Sequence, residues 1–518
     1  MCGCVRILGM RLSGTGAIAG LAAGGAGVGA SQAIAAALPG TTSPLIAVAN
    51  RVIDWTPRQL KEFAIEQFGT NDKPVLLASV IAGMVIVLAL VGAMGRTVGI
   101  TALAVLVAVA GVVVLADRPT TDGPILRLVP VAVLGAIALG SFAWLLRAAP
   151  DTPAPDTPAA EAAAPPGFDR RNFLATVGVL GAVAVGGTVA GQTVLAPGTG
   201  RSGVRLPPPR SPAAPLPAGT ALKLPGLTPY ITDNRDFYRV DTALRVPRVA
   251  VDDYRLRIHG LVDAPIELSF QDLLDLPLIE RRITLTCVSQ PVGGPYVGNA
   301  TWIGVRTRDL LSRVGVGADA DAVKSTSVDG MTIGTPLTVL TDDRDAMLAV
   351  AMNGEPLPPE HGFPVRMVVP GLYGYVSATK WLTDLEVTRF ADFSAYWTSR
   401  GYAAQAPIKT ASRIDVPKSF ARIPAGRTPV AGVAWAQHRG IERVEVRVDR
   451  GVWQPAQLAE RDGIDCWRQW VWQWDATPGN HMIEARATDA TGIPQTEERV
   501  PIAPDGATGW PGVQVRVD

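Results

Sequence analysis

The most prominent pattern in this chain is a series of long apolar segments within its first two hundred residues. A helix that crosses the hydrocarbon core of a bilayer needs about 20 predominantly apolar residues. Four segments reach this length with few charges, and a fifth, rich in glycine and alanine, matches more weakly. These are residues 75–94, 97–116, 124–147 and 172–195, and the weaker segment 12–38. The pattern predicts a multi-span α-helical membrane anchor with five spans.

The positions of arginine predict how these spans are oriented. Basic residues in short loops favour the cytoplasmic side of a membrane. In a five-span arrangement, six arginines near span ends fall on one side: Arg6, Arg11, Arg96, Arg147, Arg170 and Arg171. Basic residues in the loop 39–74 count against this orientation. The balance predicts a multi-pass protein of the cell membrane, with a cytoplasmic N-terminus and with residues from about 196 onward on the extracytoplasmic side.

Beyond the last span, the chain changes to short alternating runs of apolar and polar residues. "YRLRIHGLV" and "RITLTCVS" alternate like strands, and "SFQDLLDL" is typical of a short helix opened by a serine cap. This mixture predicts an α+β domain. From about residue 405, runs such as "IERVEVRVD" and "HMIEARATD" are separated by turn residues at the spacing of a β-sandwich.

Two proline-rich segments separate these parts. The segment "PDTPAPDTPAAEAAAPP" cannot build a core and predicts a flexible cytoplasmic tether. The segment "VRLPPPRSPAAPLP" predicts an extended spacer that holds the soluble part off the membrane. The predicted organisation is a four-span membrane region (1–148), a linker (149–168), a segment with an arginine pair and the fifth span (169–195), a spacer (196–225), an α+β domain (226–400) and a β-sandwich domain (405–518).

Charge and composition exclude some functions. The formal net charge is only +1, which offers no basic surface for nucleic acid. All four histidines lie beyond the predicted spans, so no pair of membrane histidines can hold a haem. The spans contain no Asp, Glu or Lys that would indicate an ion pathway. The helices are therefore predicted to contact membrane lipid as an anchor.

Cys287 is the first candidate for chemistry. It ends a strand-like run and precedes "VSQPVGGPYVGN", whose glycines allow a loop to approach a ligand closely. A thiolate there would be a soft metal ligand. A small buried hydrophobic residue is the alternative, and a disulfide with Cys466 is a third possibility because both residues would be extracytoplasmic.

A second cluster lies in "HGFPVRMVVPGLYGYVSATKW". Arg366 stands between Val365 and Met367, where an unpaired charge would be costly to bury, so it is expected to face an anion. His361 and Lys380 add donors nearby, and the intervening hydroxyl and glycine residues suit a phosphate-bearing ligand. Each of these residues could form an ordinary salt bridge, but together they predict an anion-binding pocket.

These segments resemble the sulfite-oxidase family of molybdopterin enzymes. "LTCVSQPVGGPYVGNATWIGVRTRDLL" is similar to its molybdenum-ligand segment, "AMNGEPLPPEHGFPVRMVVPGLYGYVSATKW" to its cofactor-binding segment, and "TDNRDFYRV" to an upstream cofactor-contacting segment. The resemblance covers residues 226–518 and implies a sulfite-oxidase-type α+β domain followed by an immunoglobulin-like β-sandwich. It implies a molybdenum–molybdopterin cofactor with Cys287 as the catalytic molybdenum thiolate. The implied cofactor-binding residues are Asn234, Tyr238, Arg239, Cys287, Ser327, His361, Arg366, Ser377 and Lys380.

The resemblance implies oxygen-atom transfer coupled to single-electron transfer. In the family, one arginine that binds sulfite follows shortly after the ligand cysteine, and another lies in the upstream segment. Here the residues after Cys287 are Val288, Ser289 and Gln290, and the upstream position is Asp233. The family also has an active-site tyrosine just before the "MNG" motif, and this chain has Val350 at about that place. Because these residues are missing, we expect a substrate other than sulfite. A catalytically inactive, membrane-tethered binding or scaffold protein on the same fold is the alternative.

The resemblance also bears on partners. The sequence offers neither membrane haem ligands nor a cysteine cluster for iron and sulfur, so the electron partner is expected to be a separate cytochrome or quinone-linked protein. The C-terminal domain makes a homodimer an expectation by analogy. Trp302 in "NATWIGV" is expected either to line the pocket or to belong to the core.

The arginine pair in "DRRNFLATVG" has two interpretations. Arg170 and Arg171 could simply hold the near end of the last span in the cytoplasm. Molybdopterin, however, is inserted in the cytoplasm, so a domain that works outside must cross the membrane already folded. "RRNFL" before a modest apolar run resembles a twin-arginine signal, here placed inside the chain.

Overall fold

The computed structural model describes residues 6–7, 10–11, 13–38, 41–57, 60, 72–117, 124–148, 170–193 and 198–518. The chain divides into two compact units, Met1–Pro197 and Gly198–Asp518. The cytoplasmic tether predicted within residues 149–168 lies outside the described residues.

The first unit is helical. Its elements are the two-residue strands β1 (Arg6–Ile7) and β2 (Met10–Arg11), and the helices α1 (Gly14–Ala37), α2 (Pro44–Trp55), α3 (Asp72–Ala93), α4 (Arg96–Ala116), α5 (Pro124–Ala148) and α6 (Arg170–Thr193). Among the described residues, every one of these helices except α2 is long and apolar enough to cross a membrane, and the five coincide with the predicted spans. Helix α2 was not predicted, because at 12 residues it is too short to cross a membrane. Its start is nevertheless marked, since Ser43 caps it and Pro44 is its first residue.

Helix α1 contacts α3, α5 and α6 through its glycines. A Cβ atom at Gly29 would lie 2.5 Å from the carbonyl oxygen of Ala184 in α6, so only glycine fits there. Gly25, one turn earlier, is less crowded: a Cβ atom there would lie 3.6 Å from the Ala184 side chain. Small residues that let helix backbones approach closely are typical of packing in membranes.

Arg127 is the charged residue that the sequence places near an end of an apolar span. It is buried in the first turn of α5, and its guanidinium donates to the carbonyl oxygens of Val114, at 2.6 Å, and Asp117, at 3.2 Å. The last carbonyls of a helix lack partners within that helix. Arg127 therefore caps the end of α4 while satisfying its own donors.

The first part of the second unit contains two mixed layers of strands and short helices. Its elements are β3 (Arg255–Gly260), β4 (Ile266–Ser269), α7 (Phe270–Leu274), β5 (Leu278–Thr286), β6 (Val297–Arg306), α8 (Thr307–Val314), β7 (Ala322–Ser327), β8 (Thr332–Pro336), α9 (Leu337–Thr341), β9 (Met347–Met352), β10 (Glu355–Pro356), β11 (Arg366–Val368) and β12 (Leu382–Thr388). One sheet has the order β10–β9–β6–β5, with β11 also on β9, and the other has the order β4–β3–β12–β7–β8.

Local sequence signals account for several of these elements. Strand β3 alternates exposed and buried positions, as its sequence predicts. Helix α7 begins at the predicted cap, where Ser269 and Asp272 exchange hydrogen bonds in a capping box. Strand β5 is buried along its last four residues, which carry the chain into the interior directly before Cys287.

The proline-rich segment 204–217 has no helix or strand of its own, and it is bonded to the sheet that follows it. Ser211 forms a parallel bridge with Ile279 of β5, and the N–H of Glu280 donates to the Ser211 carbonyl. Val204 and Leu206 pack against the core. The apolar side chains between the prolines thus bind this segment to the edge of β5.

The last part of the chain is built from strands alone. They are β13 (Ala411–Val416), β14 (Ala421–Ile423), β15 (Gly426–Trp435), β16 (Ile441–Val448), β17 (Gln454–Pro455), β18 (Gln457–Leu458), β19 (Arg468–Ala476), β20 (Gly479–Asp489) and β21 (Gly512–Val517). They form two sheets, β13–β15–β19–β18 and β14–β21–β20–β16–β17. Residues such as Val430 and Trp470 from one sheet and Val446 and Ile483 from the other share one buried cluster. The immunoglobulin-like assignment of these sheets stays a prediction.

We expect Gly29→Ala to destabilise the helical unit by about 1–3 kcal/mol, because the added methyl group meets backbone atoms of α6 that cannot move aside independently. Gly25→Ala is the matched control on the same helix. The measurement is the melting temperature of the full-length protein in a mild detergent. Equal melting temperatures for the two variants would contradict the close α1–α6 packing.

Candidate active site

The site begins with the loop that follows β5. Cys287 is the first residue after the strand, its N–H donates to the carbonyl of Tyr296 at 3.0 Å, and its side chain lies in the wall of a cleft. The Ser289 N–H lies 3.4 Å from the Cys287 sulfur. Burial raises the pKa of the Cys287 thiol, while the Ser289 hydrogen bond and the charge of Lys380 act in the opposite direction. A cation brought close to the sulfur would favour the thiolate.

The disulfide that the sequence allowed between Cys287 and Cys466 is not formed. Both residues are free, buried thiols. The Cys466 sulfur donates instead to the carbonyl of Arg282 at 3.1 Å. Cys466 is thus fixed beside the middle of β5, whereas Cys287 lies beyond the end of that strand.

Arg366 lies in the same cleft as Cys287 and is only 4% exposed. Its Nη1 donates to the His361 carbonyl at 3.2 Å, and its guanidinium carbon lies 5.0 Å from the centre of the Trp302 ring. Its Nε has no hydrogen-bond partner among the described residues. Burial lowers the pKa of Arg366 to about 10, so the group is charged at neutral pH. Trp302 itself is fully buried, so it belongs to the core beneath Arg366.

Lys380 is the second cation of the cleft. Its ammonium donates to Asp241 at 3.2 Å and to the Glu360 carbonyl at 3.0 Å. Burial lowers the pKa of Lys380 to about 8, although Asp241 opposes this effect. Arg239 donates to the same carboxylate at 2.9 Å but is partly exposed and is not among the residues that line the cleft. One carboxylate therefore faces two basic side chains.

His361 and Asn234 contact each other, and neither is among the residues that line the cleft. The Nε2 of His361 and the Asn234 carbonyl are 2.7 Å apart, so Nε2 carries the proton and donates. Burial lowers the pKa of His361 to about 4, which keeps the ring neutral. Its Nδ1 is then a buried acceptor without a partner among the described residues. The Asn234 side chain donates to the Met352 carbonyl.

The remaining predicted residues separate into two groups. Tyr238 and Ser327 line the cleft, and burial raises the pKa of Tyr238. The Ser377 hydroxyl donates to the carbonyls of Leu372 and Tyr373, so it closes its own turn instead of facing the cleft. Five of the nine predicted residues therefore line the cleft: Tyr238, Cys287, Ser327, Arg366 and Lys380.

Sequence reasoning missed several residues of the cleft. Asp241 lies two residues after Arg239, but its contact with Lys380 joins positions 139 residues apart and has no local signal. One wall is aromatic and contains Tyr375, Trp397 and Tyr402, with the Tyr402 ring 5.5 Å from that of Tyr375 and 5.3 Å from that of Trp397. A local signal for this wall exists in the closely spaced aromatic residues of "AYWTSRGY", residues 395–402.

Several residues stand where the resemblance implies sulfite-binding arginines or an active-site tyrosine, and they have other contacts here. Val288 lines the cleft with an apolar side chain. The Gln290 side chain is used within its loop, where it donates to the Gly294 carbonyl and accepts from the Tyr296 N–H. Val350 is fully buried in β9. Among the described residues that line the cleft, the basic side chains are Arg366 and Lys380.

Comparisons with known proteins identify the family of the part of the chain that contains the cleft. Residues 243–397 match the family model described as "Oxidoreductase molybdopterin binding domain". That range contains Cys287, Arg366 and Lys380. The chain is 38% identical over 149 residues to an uncharacterized oxidoreductase, YuiH, of Bacillus subtilis, a match that covers 29% of this chain and 72% of that protein.

Two further similarities cover about half of the chain. Mitochondrial sulfite oxidase of Homo sapiens is 30% identical over 292 residues, which cover 47% of this chain and 52% of that protein, so the chain spans about half the length of this relative. The sulfane dehydrogenase SoxCD of Paracoccus pantotrophus is similar in structure, with a TM-score of 0.48 and 25% identity, over 55% of this chain and 81% of that chain. On the sequence matches and the cleft, the chain belongs to the sulfite-oxidase family of molybdopterin-dependent oxidoreductases and uses a molybdenum–molybdopterin cofactor.

Proposed function

We propose that this protein is a membrane-anchored oxidoreductase that works on the extracytoplasmic side and transfers an oxygen atom to or from a substrate other than sulfite. The observation that carries the proposal is the cleft lined by the Cys287 thiol and two cations, of which Arg366 is buried and Lys380 is only 10% exposed. A thiol, a guanidinium and an ammonium in one cleft suit a soft metal and an anionic group together.

The residues present fit the family's cofactor. Among the described residues, no group of three or more His, Cys, Asp or Glu side chains converges on one point. A metal held by Cys287 would therefore need ligands supplied by an organic cofactor. The Arg366 Nε donor and the His361 Nδ1 acceptor are both buried and lack partners among the described residues, which is costly unless a ligand engages them.

The side chains would have distinct roles around this group. Cys287 would ligate the metal, Arg366 and Lys380 would neutralise the phosphate, and neutral His361 would accept a hydrogen bond through Nδ1. Bound molybdenum–molybdopterin supplies two-electron oxygen-atom transfer and the stepwise return of single electrons. Asp241 would hold Lys380 in position, and the aromatic wall would exclude water from one side of the cleft.

The charges of the cleft favour a substrate other than sulfite. A doubly charged small anion needs positive groups of its own, in addition to those that hold a phosphate. Here Val288 offers an apolar surface and Gln290 is occupied within its loop. An uncharged substrate such as a sulfoxide or an N-oxide would meet no unpaired charge at these positions. A screen of sulfite, sulfoxides and N-oxides with an artificial electron carrier tests this point.

The location and partner also belong to the proposal. The five apolar helices would anchor the chain, and the twin-arginine-like segment at the start of α6 would bring the folded second unit across the membrane. A separate cytochrome or quinone-linked protein would exchange the electrons. A homodimer through the C-terminal sheets is part of the same proposal.

Cys287→Ser tests the metal ligand. We expect the metal in the variant to lose about one sulfur ligand, because a serine hydroxyl is a harder donor that does not replace a thiolate. The measurement is X-ray absorption at the molybdenum edge, with metal content by mass spectrometry and turnover on the substrate found in the screen. Cys466→Ser is the matched control, since that thiol donates to the Arg282 carbonyl away from the cleft. An unchanged sulfur count in Cys287→Ser would contradict the ligand, and wild-type protein without molybdenum would favour the inactive scaffold.

The pKa of Lys380 predicts how cofactor binding depends on pH. Below about pH 8 the ammonium is charged in the free protein, so it attracts a phosphate directly. Above pH 8 binding must first return a proton to Lys380, so affinity falls by up to about tenfold per pH unit. We expect apoprotein titrated with molybdopterin to bind more weakly as pH rises from 7 to 9.5, measured by fluorescence quenching. Lys380→Met should bind weakly without this pH dependence, and exposed Lys223→Met should behave as wild type. A flat wild-type profile would refute the role of Lys380.

The arginine pair gives a further prediction. In Arg170→Lys with Arg171→Lys, we expect the first four spans to insert normally and the second unit to stay in the cytoplasm, because lysine keeps the charge but not the twin-arginine signal. Protease access on intact cells measures this display. Arg147→Lys is the control for a cytoplasmic arginine outside the signal. Normal display of the double variant would leave the pair as a topology marker only.

A further inference from the structure

The loop that carries Cys287 is closed by its own hydrogen bonds. The Cys287 N–H donates to the Tyr296 carbonyl at 3.0 Å, and the Gln290 N–H donates to the Cys287 carbonyl at 3.1 Å. The Gln290 side chain reaches across to the Gly294 carbonyl at 2.6 Å. Gly294 must be a glycine, since a Cβ atom there would lie 2.5 Å from Pro291. The loop 287–296 is thus a compact turn with its glycines at the far end from the thiol.

A side chain from the C-terminal part of the chain binds this far end. Arg413 in β13 donates from Nη1 to the Gly294 carbonyl at 3.1 Å. The same guanidinium donates from Nε to Asp415 at 2.7 Å and from Nη2 to the Thr228 hydroxyl at 2.8 Å. The Arg413 side chain is 12% exposed and that of Asp415 is 3% exposed. The Gly294 carbonyl therefore accepts from two donors, one inside its loop and one from the following sheet.

The strand that leads into the loop is bound by the same part of the chain. The Gln437 amide donates to the Thr284 carbonyl at 2.9 Å and to the Thr286 hydroxyl at 3.0 Å. The Trp467 N–H donates to the Thr284 hydroxyl at 2.8 Å. The chain is thus held on both sides of Cys287 by residues that lie more than a hundred positions later.

We infer that Arg413 is a positioning residue for Cys287: it anchors the loop 287–296 through Gly294 and so fixes the direction of the thiol in the cleft. Glycines lose the most conformational freedom on ordering, so a loop that contains Gly293 and Gly294 is costly to hold without an external contact. A charged donor that is itself fixed by Asp415 supplies that contact. The effect of Arg413 on a bound metal rests on the proposed function, in which Cys287 is the metal ligand. The effect of Arg413 on the order of the loop does not.

The direct test measures the reactivity of the thiol in full-length protein without cofactor. In Arg413→Met, which keeps the length and apolar stem of the side chain, loss of a charge-assisted hydrogen bond should raise the population of the open loop, and with it the alkylation rate of Cys287, by about tenfold or more. Mass spectrometry of the Cys287 peptide separates this thiol from the other cysteines. Arg413→Lys should restore part of the protection, since one ammonium can still reach one acceptor.

Thr228→Val is the matched control. It removes the partner of Nη2 but leaves the contact with Gly294, so the Cys287 alkylation rate should stay at the wild-type value. A merely structural role, in which Arg413 joins the sheet to the preceding segment, predicts similar changes in Thr228→Val and Arg413→Met. That outcome, or an unchanged alkylation rate in Arg413→Met, would overturn the inference. If Arg413→Met does not fold, the Cys287 alkylation rates of Arg413→Lys and Thr228→Val are compared instead. A rate that rises in Arg413→Lys but not in Thr228→Val supports the inference, and equal rates overturn it.

A second measurement uses cofactor-loaded protein. The electron paramagnetic resonance signal of Mo(V) is sensitive to the orientation of a ligating sulfur, so Arg413→Met should shift it and Thr228→Val should not. An unchanged signal in folded, metal-containing Arg413→Met would refute the effect on the ligand. Wild-type protein that contains no molybdenum would refute the proposed function, and the alkylation experiment would still decide whether Arg413 positions the loop.

Discussion

The cleft depends on one electrostatic constraint, which is that two cations, one buried and one largely shielded from solvent, share a cleft with a thiol. A buried charge is costly unless it is paired and hydrogen-bonded. Asp241 partly satisfies this requirement for Lys380, whereas the Arg366 guanidinium contacts a carbonyl and the face of Trp302, and its Nε lacks a partner among the described residues. Burial lowers the pKa values of Lys380 and Arg366, and for Lys380 the charge of Arg366 adds to this effect. Two cations with a single carboxylate between them suit an anionic cofactor.

The surrounding fold can be understood as the framework that makes this burial possible. Strand β11 holds Arg366 in register with β9, and Trp302 in β6 lies beneath the guanidinium while its indole N–H donates to the Ile283 carbonyl in β5. Three strands of one sheet therefore connect the cation to the strand that delivers Cys287. The C-terminal sheets continue this framework, because Gln437 and Trp467 bind β5 near its end.

The sequence predicted helices and strands better than it predicted contacts between residues far apart in the chain. The five apolar helices, the serine-capped helix α7 and the strands β3, β5, β16 and β20 follow from local periodicity and capping. Helix α2 was missed because it is too short to register as a span, and the disulfide was a wrong alternative because Cys466 lies beside the middle of β5. The proline-rich segment was predicted to be an extended spacer, and no local signal predicts that Ser211 pairs with Ile279.

By itself the sequence determined which chemical groups were present: an isolated thiol after a strand, a charged residue in an apolar run, and motifs that resemble one cofactor-binding family. Those features are local, since each depends on neighbours within a few residues. Only the tertiary structure decided that Cys287, Arg366 and Lys380 share one cleft, that Ser377 closes a turn, and that Asp241 holds Lys380. The physical reason is that burial and pairing depend on strands far apart in the chain, whose register is set by the packing of the whole core.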